Sequence, residues 1–289
     1  MNETIIITSD SACDLSTDLV DKYNVKIIPL HVSMGDKDYK DCVDLMPDDI
    51  YRIYDKTGLL PKTSATNVLE YVEFFKQFTT KGYSVIHISL SSQVSCVYQN
   101  AALAASELSN VYVLDSLNLS TGIGLLVIKA CEMRDSGVTA LDIVKNLEKL
   151  IPYVNTSFVV DSLEFLHKGG RCSSITVVGA NILHIKPCIE VVRGNMKLVK
   201  KYRGKFKNVI YNYVQERLKT TTDIEYSHIF ITHSGVDEDI IEMVKNIIKG
   251  NSLFKEILVT RAGCAVTSHC GPNTLGILFV KNQQPLKKQ

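Results

Sequence analysis

The 289-residue chain contains no CxxC pair among its eight cysteines, no surplus of either charge and no long uninterrupted hydrophobic run. Cys13, Cys42, Cys96, Cys131, Cys172, Cys188, Cys264 and Cys270 are scattered along the chain. That is unlike a small secreted disulfide scaffold, and the expectation is reduced thiols in a cytoplasmic protein. With 32 Lys+Arg against 31 Asp+Glu, the net charge of +1 provides no whole-protein field for nucleic acid or an acidic membrane. Only 16 Gly and 7 Pro exclude a collagenous or Pro/Gly-rich disordered chain. The most apolar windows, near Gly122 to Ala130 and Ile175 to Val192, are interrupted by Lys129, Lys186 and Glu190. They fall short of the roughly 20 residues that span a bilayer. The opening residues lack a basic start followed by an apolar stretch and a cleavage site, so the expectation is a native N-terminus without a signal peptide.

Several chemical signatures are also missing. There is no GxxxxGK[ST] phosphate loop and no GxSxG elbow, which argues against a P-loop NTPase and an ordinary α/β hydrolase. Ser120-Thr121-Gly122-Ile123-Gly124 follows an expected strand, but Val127 stands where a dinucleotide fingerprint needs its third glycine. His184-x-x-x-Cys188 and His269-Cys270 lack a second ligand pair at zinc spacing, so no metal and no resident cofactor is expected.

What is present is 45% hydrophobic residues in short β-branched runs alternating with amphipathic stretches. Strands are expected at Thr4 to Thr8, Val25 to Val32, Ser84 to Ser89 and Val111 to Asp115. Helices are expected at Ser16 to Tyr23, Glu70 to Thr79, Tyr98 to Leu108 and Gly122 to Asp135. A further helix begins at Thr139, capped with Asp142, with Leu141, Val144, Leu147 and Ile151 as its apolar stripe. This βαβ rhythm predicts an α/β fold whose first domain, residues 1–155, is a parallel sheet between helical layers. After Tyr153 the pattern changes. Strands at Phe158 to Asp161, His228 to Thr232, Glu256 to Thr260 and Gly276 to Val280 surround helices at Val209 to Leu218 and Asp237 to Ile248. With a hairpin from Ile189 to Tyr202 turning at Gly194-Asn195, residues 156–289 read as an α+β domain with a mixed sheet. The tail Asn282 to Gln289 reads as disordered.

Hydroxyl clusters mark the ends of the expected strands: Ser9-Asp10-Ser11, Ser89 to Ser95 and Asp115-Ser116, with Thr63-Ser64-Ala65-Thr66 in a Pro-led loop. Ligands bind at the C-terminal ends of parallel strands, and hydroxyls backed by helix N-termini suit an anion. Helix N-capping is the competing role for each cluster taken singly.

In order along the chain, Thr8-Ser9-Asp10-Ser11 with Asp14-Leu15, Lys62-Thr63-Ser64, Ser91-Ser92-Gln93-Val94-Ser95, Leu114-Asp115-Ser116, Gly122-x-Gly124, Phe165-Leu166-x-Lys168-Gly169-Gly170-Arg171, Ile185-Lys186-Pro187 and His269-x-Gly271-Pro272 resemble the DegV family. These are bacterial fatty-acid-binding proteins that serve as the acyl-presenting subunit of a fatty acid kinase. The resemblance implies a long-chain fatty acid in a tunnel between two domains, its carboxylate meeting Thr63, Ser95 and His269. Arg171 is implied as a nearby cation, and Ser64, Ser92, Asp115 and Ser116 of the hydroxyl clusters are the expected supporting residues. The same resemblance implies no catalysis by this chain alone, with Mg-ATP supplied by a kinase subunit related to dihydroxyacetone kinases. The sequence departs at Gln93-Val94-Ser95-Cys96-Val97, where members commonly carry Gly-Leu-Ser-Gly-Thr; the central serine remains. Val177-Val178-x-Ala180-x-Ile182-Leu183 and Gly122 to Ile128 are candidate tunnel walls, or equally plain core. At about 0.8 kcal/mol per buried methylene, a tail of roughly sixteen carbons offers on the order of 12 kcal/mol before ordering costs. The tail should set affinity and the head group position.

A basic run, Lys197, Lys200, Lys201, Arg203, Lys205 and Lys207, falls on the second hairpin strand and beyond. It is either a solvated sheet edge or a partner-docking face through Lys200, Lys201 and Arg203, and the resemblance implies that the Arg203 position faces the kinase. Without aromatic platforms or a recognition helix, no nucleic acid partner is expected; transient membrane contact stays open. The alternative to a carrier is a Ser/His acyl-ester hydrolase with Ser95 as nucleophile and His269 as base. A purely regulatory or adhesion-related module is a third reading.

Overall fold

The structure is a computed structural model describing residues 3–171, 185–251 and 253–282. Cys172, the apolar stretch 177–183, His184 and the tail beyond 282 lie outside the described residues. The first half runs β1 (Ile5–Asp10), a 3-10 turn (Ser11–Cys13), α1 (Thr17–Lys22), β2 (Lys26–Ile28), β3 (His31–Met34), β4 (Lys37–Lys40), α2 (Pro47–Thr57) and β5 (Lys62–Ser64). It continues through α3 (Val68–Thr79), β6 (Ser84–Ser89), α4 (Val97–Ser106), β7 (Val111–Asp115), α5 (Thr121–Asp135) and α6 (Ala140–Leu150). The second half comprises β8 (Val154–Val160), α7 (Glu164–Lys168), β9 (Ile185–Val192), β10 (Asn195–Arg203) and α8 (Phe206–Thr220). It ends with β11 (Ile224–His233), α9 (Glu238–Asn251), β12 (Glu256–Arg261), α10 (Cys264–Cys270) and β13 (Thr274–Lys281).

The fold is α/β. Four parallel strands in the order β2-β1-β6-β7 form the first sheet. Its inner strands β1 and β6 are buried almost throughout, as near-continuous apolar runs in a parallel sheet require. The second sheet is six-stranded and mixed, β10-β9-β8-β13-β11-β12, antiparallel except for the β11–β12 pair. A third sheet, β4-β3-β5, has no counterpart in the sequence reading. The strand expected over Val25 to Val32 is in fact two, broken at Pro29. Proline has no N–H for a ladder, so β2 ends opposite Asp10 at Ile28 while β3 turns into the antiparallel sheet. Thr63 therefore sits in β5 opposite Val32, not in a loop.

Helix α5 is central. Ile123, Leu126, Val127 and Ile128 are fully buried, so the segment Gly122 to Ile128 is core and not tunnel wall. Its glycines permit close packing: a Cβ at Gly122 would collide with the Asn118 and Thr156 side chains, and one at Gly124 would come within 2.9 Å of Leu15. In α6 the buried positions are Ala140, Ile143 and Leu147, while Leu141 faces out at 53% exposure. The hairpin turn is Arg193-Gly194, one residue earlier than expected, with φ of 50° and 80°. Positive φ at both central positions is the demand of the two-residue turn that matches strand twist. One apolar cluster joins Ile7 and Ile86 of the first sheet to Phe230, Leu278 and Val280 of the second. Among the described residues, no helix is long and apolar enough to cross a membrane.

Candidate functional site

Beyond the C-terminal ends of β1 and β6, residues from both halves of the chain line one cavity of about 340 Å³. Leu30, Leu90, Val94 and Leu119 from the first half and Leu166, Met196, Ala265 and Val266 from the second give it an apolar wall. Thr63, Ser64, Ser95, Arg171 and His269 contribute its polar groups. The sequence elements that carry these five are more than 30 residues apart at each step except Thr63-Ser64, so the fold alone assembles them.

His269 is the penultimate residue of α10, and its Nε2 lies 2.8 Å from Thr63 Oγ1. Its Nδ1 is buried with no hydrogen-bond partner among the described residues. Gly169, which ends α7, makes the seat: a Cβ there would strike the imidazole at Nδ1 and approach the Phe165 carbonyl at 2.9 Å. Burial, and then the Arg171 charge, push the His269 pKa down to about 4. The imidazole is thus neutral near pH 7, with one nitrogen protonated and the other free to accept. Arg171 itself is fixed by donating Nη1–H to the Gly169 carbonyl at 2.7 Å.

This has a measurable consequence for stability. Above pH 6.5, the ordinary histidine value, His269 is neutral in both folded and unfolded chains and contributes no slope. As pH falls from 6.5 toward 4, the unfolded chain takes up a proton there that the folded chain refuses, so stability falls with acidification. His269→Gln should therefore lose less melting temperature than wild type between pH 7 and pH 4.5. Thermal denaturation across that range checks it; parallel curves would mean that His269 titrates normally.

Ser95 sits in the loop between β6 and α4, where its backbone N–H reaches Ser91 O (3.3 Å) and its Oγ accepts from Val97 N–H (3.4 Å). The β9–β10 turn props this loop. Ser91 Oγ donates to the Gly194 carbonyl at 3.2 Å, and a Cβ at Gly194 would collide with Ser91 and Gln93. Ser92, Asp115 and Ser116 do not reach the cavity. Asp115 Oδ1 accepts from the N–H groups of Ser92 (3.1 Å) and Leu117 (3.0 Å), and buried Ser116 closes a local turn with Asn118. Their support is the shape of the loop that carries Ser95.

Sequence reasoning missed a brace of buried carboxylates. Asp14 accepts from Ser120 Oγ (2.5 Å) and Gly263 N (2.8 Å), and Asp41 accepts from Ser11 Oγ (2.7 Å) and Cys264 N (2.6 Å). They tie the start of α10 to the first half. Burial raises Asp10 to about 6 and Asp14 to about 8. The motif Thr8-Ser9-Asp10-Ser11 with Asp14 was visible; its partners some 250 residues away, as in the Asp14–Gly263 bond, were not.

A hydrolytic dyad is not assembled. His269 Nε2 engages Thr63 and not Ser95, and no acid meets its Nδ1 among the described residues. A nucleophilic serine needs both contacts.

Lys200, Lys201 and Arg203 are exposed on β10, an edge strand. Lys200 pairs with Glu216 at 2.6 Å and lies over the Tyr202 ring, 4.8 Å from its centroid. Of the run's six cations, Lys207 is also paired, with Asp239 at 2.5 Å.

Comparison with known proteins places these features. The sequence profile of a family described as "Uncharacterised protein, DegV family" matches residues 4–282. A DegV domain-containing protein of Clostridium acetobutylicum is 31% identical over 284 residues, covering 96% of this chain and 99% of its own. A DegV family protein from Thermus thermophilus, whose structure is described by its fatty acid binding, superposes with a TM-score of 0.88 at 26% identity, over 98% of this chain and 100% of its own. A stearic acid-binding protein from Eubacterium ventriosum superposes at 0.84 with 26% identity, over 96% and 98%.

Proposed function

The chain belongs to the DegV family, and from that premise we propose that it binds a long-chain fatty acid and presents the carboxylate to a separate ATP-dependent fatty acid kinase. The observation that carries this reading is one apolar cavity whose polar groups are two serines, Thr63, His269 and Arg171, the donor set for a carboxylate. In this reading the chain divides near residue 155, domains 1–155 and 156–289 flank the lipid cleft, and the protein works in the cytoplasm. Thr63 and Ser95 donate O–H groups to the head group, His269 orients Thr63, and Arg171 offsets the negative charge. Positioning then does the work: one carboxylate oxygen attacks the γ-phosphorus of Mg-ATP held by a partner related to dihydroxyacetone kinases, ADP leaves, and an acyl phosphate forms. Two similar proteins of known structure that bind fatty acid, one of them stearic acid, support the ligand class.

Organic extraction of the protein purified from bacteria, followed by mass spectrometry, tests the ligand. About one long-chain fatty acid per chain is the expected result. No fatty acid, and no uptake of added oleate or palmitate, would defeat the proposal.

Docking is the second half of the reading. Lys201 and Arg203 are exposed, and unlike Lys200 they have no carboxylate partner among the described residues. Reversing both, Lys201→Glu with Arg203→Glu, should slow phosphorylation of bound lipid while leaving it bound. Steering by exposed charge weakens with salt, so the wild-type rate should fall with ionic strength and the variant's should stay flatter. Normal turnover by the variant at all salt concentrations would leave β10 as a solvated edge.

A further inference from the structure

Away from the lipid cavity, the loop between β4 and α2 meets the first turn of α10. There Asp41, Cys42 and Cys264 each offer one ligand atom, and the three atoms lie within 4.8 Å of one another. The Cys264 thiol donates to the Leu45 carbonyl at 2.9 Å. Gly263 shows how tightly the donors converge, because a Cβ built on it would stand 3.1 Å from Asp41 Oδ1, 3.2 Å from Cys42 Sγ and 3.3 Å from Asp14 Oδ1. A side chain there would crowd all three donors.

The geometry points to a binding site for a thiophilic divalent cation of the zinc class, held by Asp41, Cys42 and Cys264 with Asp14 alongside. Tetrahedral zinc, with Zn–S of about 2.3 Å, sets two sulfurs about 3.8 Å apart, and the two Sγ atoms already lie within 4.8 Å of each other. Two sulfurs select a soft or borderline ion over magnesium or calcium. Asp10, Asp14 and Asp41 are at most 4% exposed, and among the described residues none is paired with a lysine or arginine. Their partners are neutral hydroxyls and backbone N–H groups. A buried carboxyl without a cationic partner either stays protonated or holds a metal. Access exists as well: Cys42 is exposed, while Asp41 and Cys264 are buried behind it. None of the three residues lines the lipid cavity, so the site does not depend on the fatty-acid reading. A bound ion would fasten the loop after β4 to the helix that carries His269.

The test is titration of the reduced, full-length protein with Co²⁺ under anaerobic conditions, then displacement by Zn²⁺. Expected are one-to-one binding, a thiolate-to-cobalt charge-transfer band in the near ultraviolet and visible bands of tetrahedral Co²⁺. Cys42→Ser should roughly halve the charge-transfer intensity, as one of two sulfurs is lost, and weaken Zn²⁺ at least about tenfold against a chromophoric chelator. Cys42 is exposed, so this variant should keep the metal-free melting temperature of wild type; Asp41→Asn supplies an independent loss of affinity without touching sulfur. Absence of Co²⁺ uptake by reduced wild type, or a charge-transfer band unchanged in Cys42→Ser, would overturn the assignment.

Discussion

Ala265→Trp is expected to leave the purified protein nearly free of lipid. Ala265 lies on α10, is 5% exposed, and forms part of the apolar wall opposite residues of the first half. An indole there competes with the tail for the same volume. If the ring displaces about four methylenes from burial, at about 0.8 kcal/mol each, the loss is about 3 kcal/mol, or on the order of a hundredfold in affinity. Overpacking by itself costs typically 1–3 kcal/mol of stability, so Ala265→Leu accompanies it as a milder filling that should shorten the acyl chains retained before it abolishes retention. Mass spectrometry of extracted lipid reads both outcomes, and melting temperature reports whether the fold persists. A folded Ala265→Trp variant with the wild-type lipid load would move the tail out of this cavity.

The two-sheet architecture was legible because its strands obey local rules. β1 and β6 are unbroken apolar runs between helices with apolar periodicity, and Thr139 caps α6 by accepting from Asp142 N–H as the Thr-x-x-Asp pattern implies. The third sheet was not legible. Its strands are three or four residues long, β4 reads KDYK and β5 reads KTS, so neither shows an alternation that outweighs charge and short length. The split at Pro29 was readable in principle, since a proline cannot donate within a ladder; the β-branched residues on both sides concealed it. Leu141 illustrates a different limit: a stripe through 141, 144, 147 and 151 and one through 140, 143 and 147 are close on a helical wheel, and only the neighbouring sheet selects the second. The five polar residues lining the cavity were reached through family motifs, not spacing. What seats them was out of reach, because the clash that keeps Gly169 a glycine involves His269, and the turn that props Ser91 comes from Gly194.

Removing the head-group contacts should separate holding the lipid from presenting it. Thr63→Ala, Ser95→Ala and His269→Ala each withdraw one uncharged hydrogen-bonding partner from a carboxylate or from the residue that orients it. Leaving a charged partner unmatched costs roughly 1–3 kcal/mol, so acyl phosphate formation with the kinase should fall about 5- to 150-fold. Lipid retention should fall far less, because the tail supplies most of the burial energy and none of these three side chains belongs to the apolar wall. Thr63 and His269 should not act independently. Their 2.8 Å bond means that either alanine already breaks the pair, so the double variant should lose less than the sum of the two singles. Ser95, whose Oγ accepts from Val97 N–H and not from His269, should add its full effect to either. Single-turnover acyl phosphate formation and extracted lipid, measured on the same preparations, provide the comparison. Equal and large losses of both in all three variants would make these residues props of the fold; additive losses for Thr63 and His269 would mean that their contact does not orient the head group.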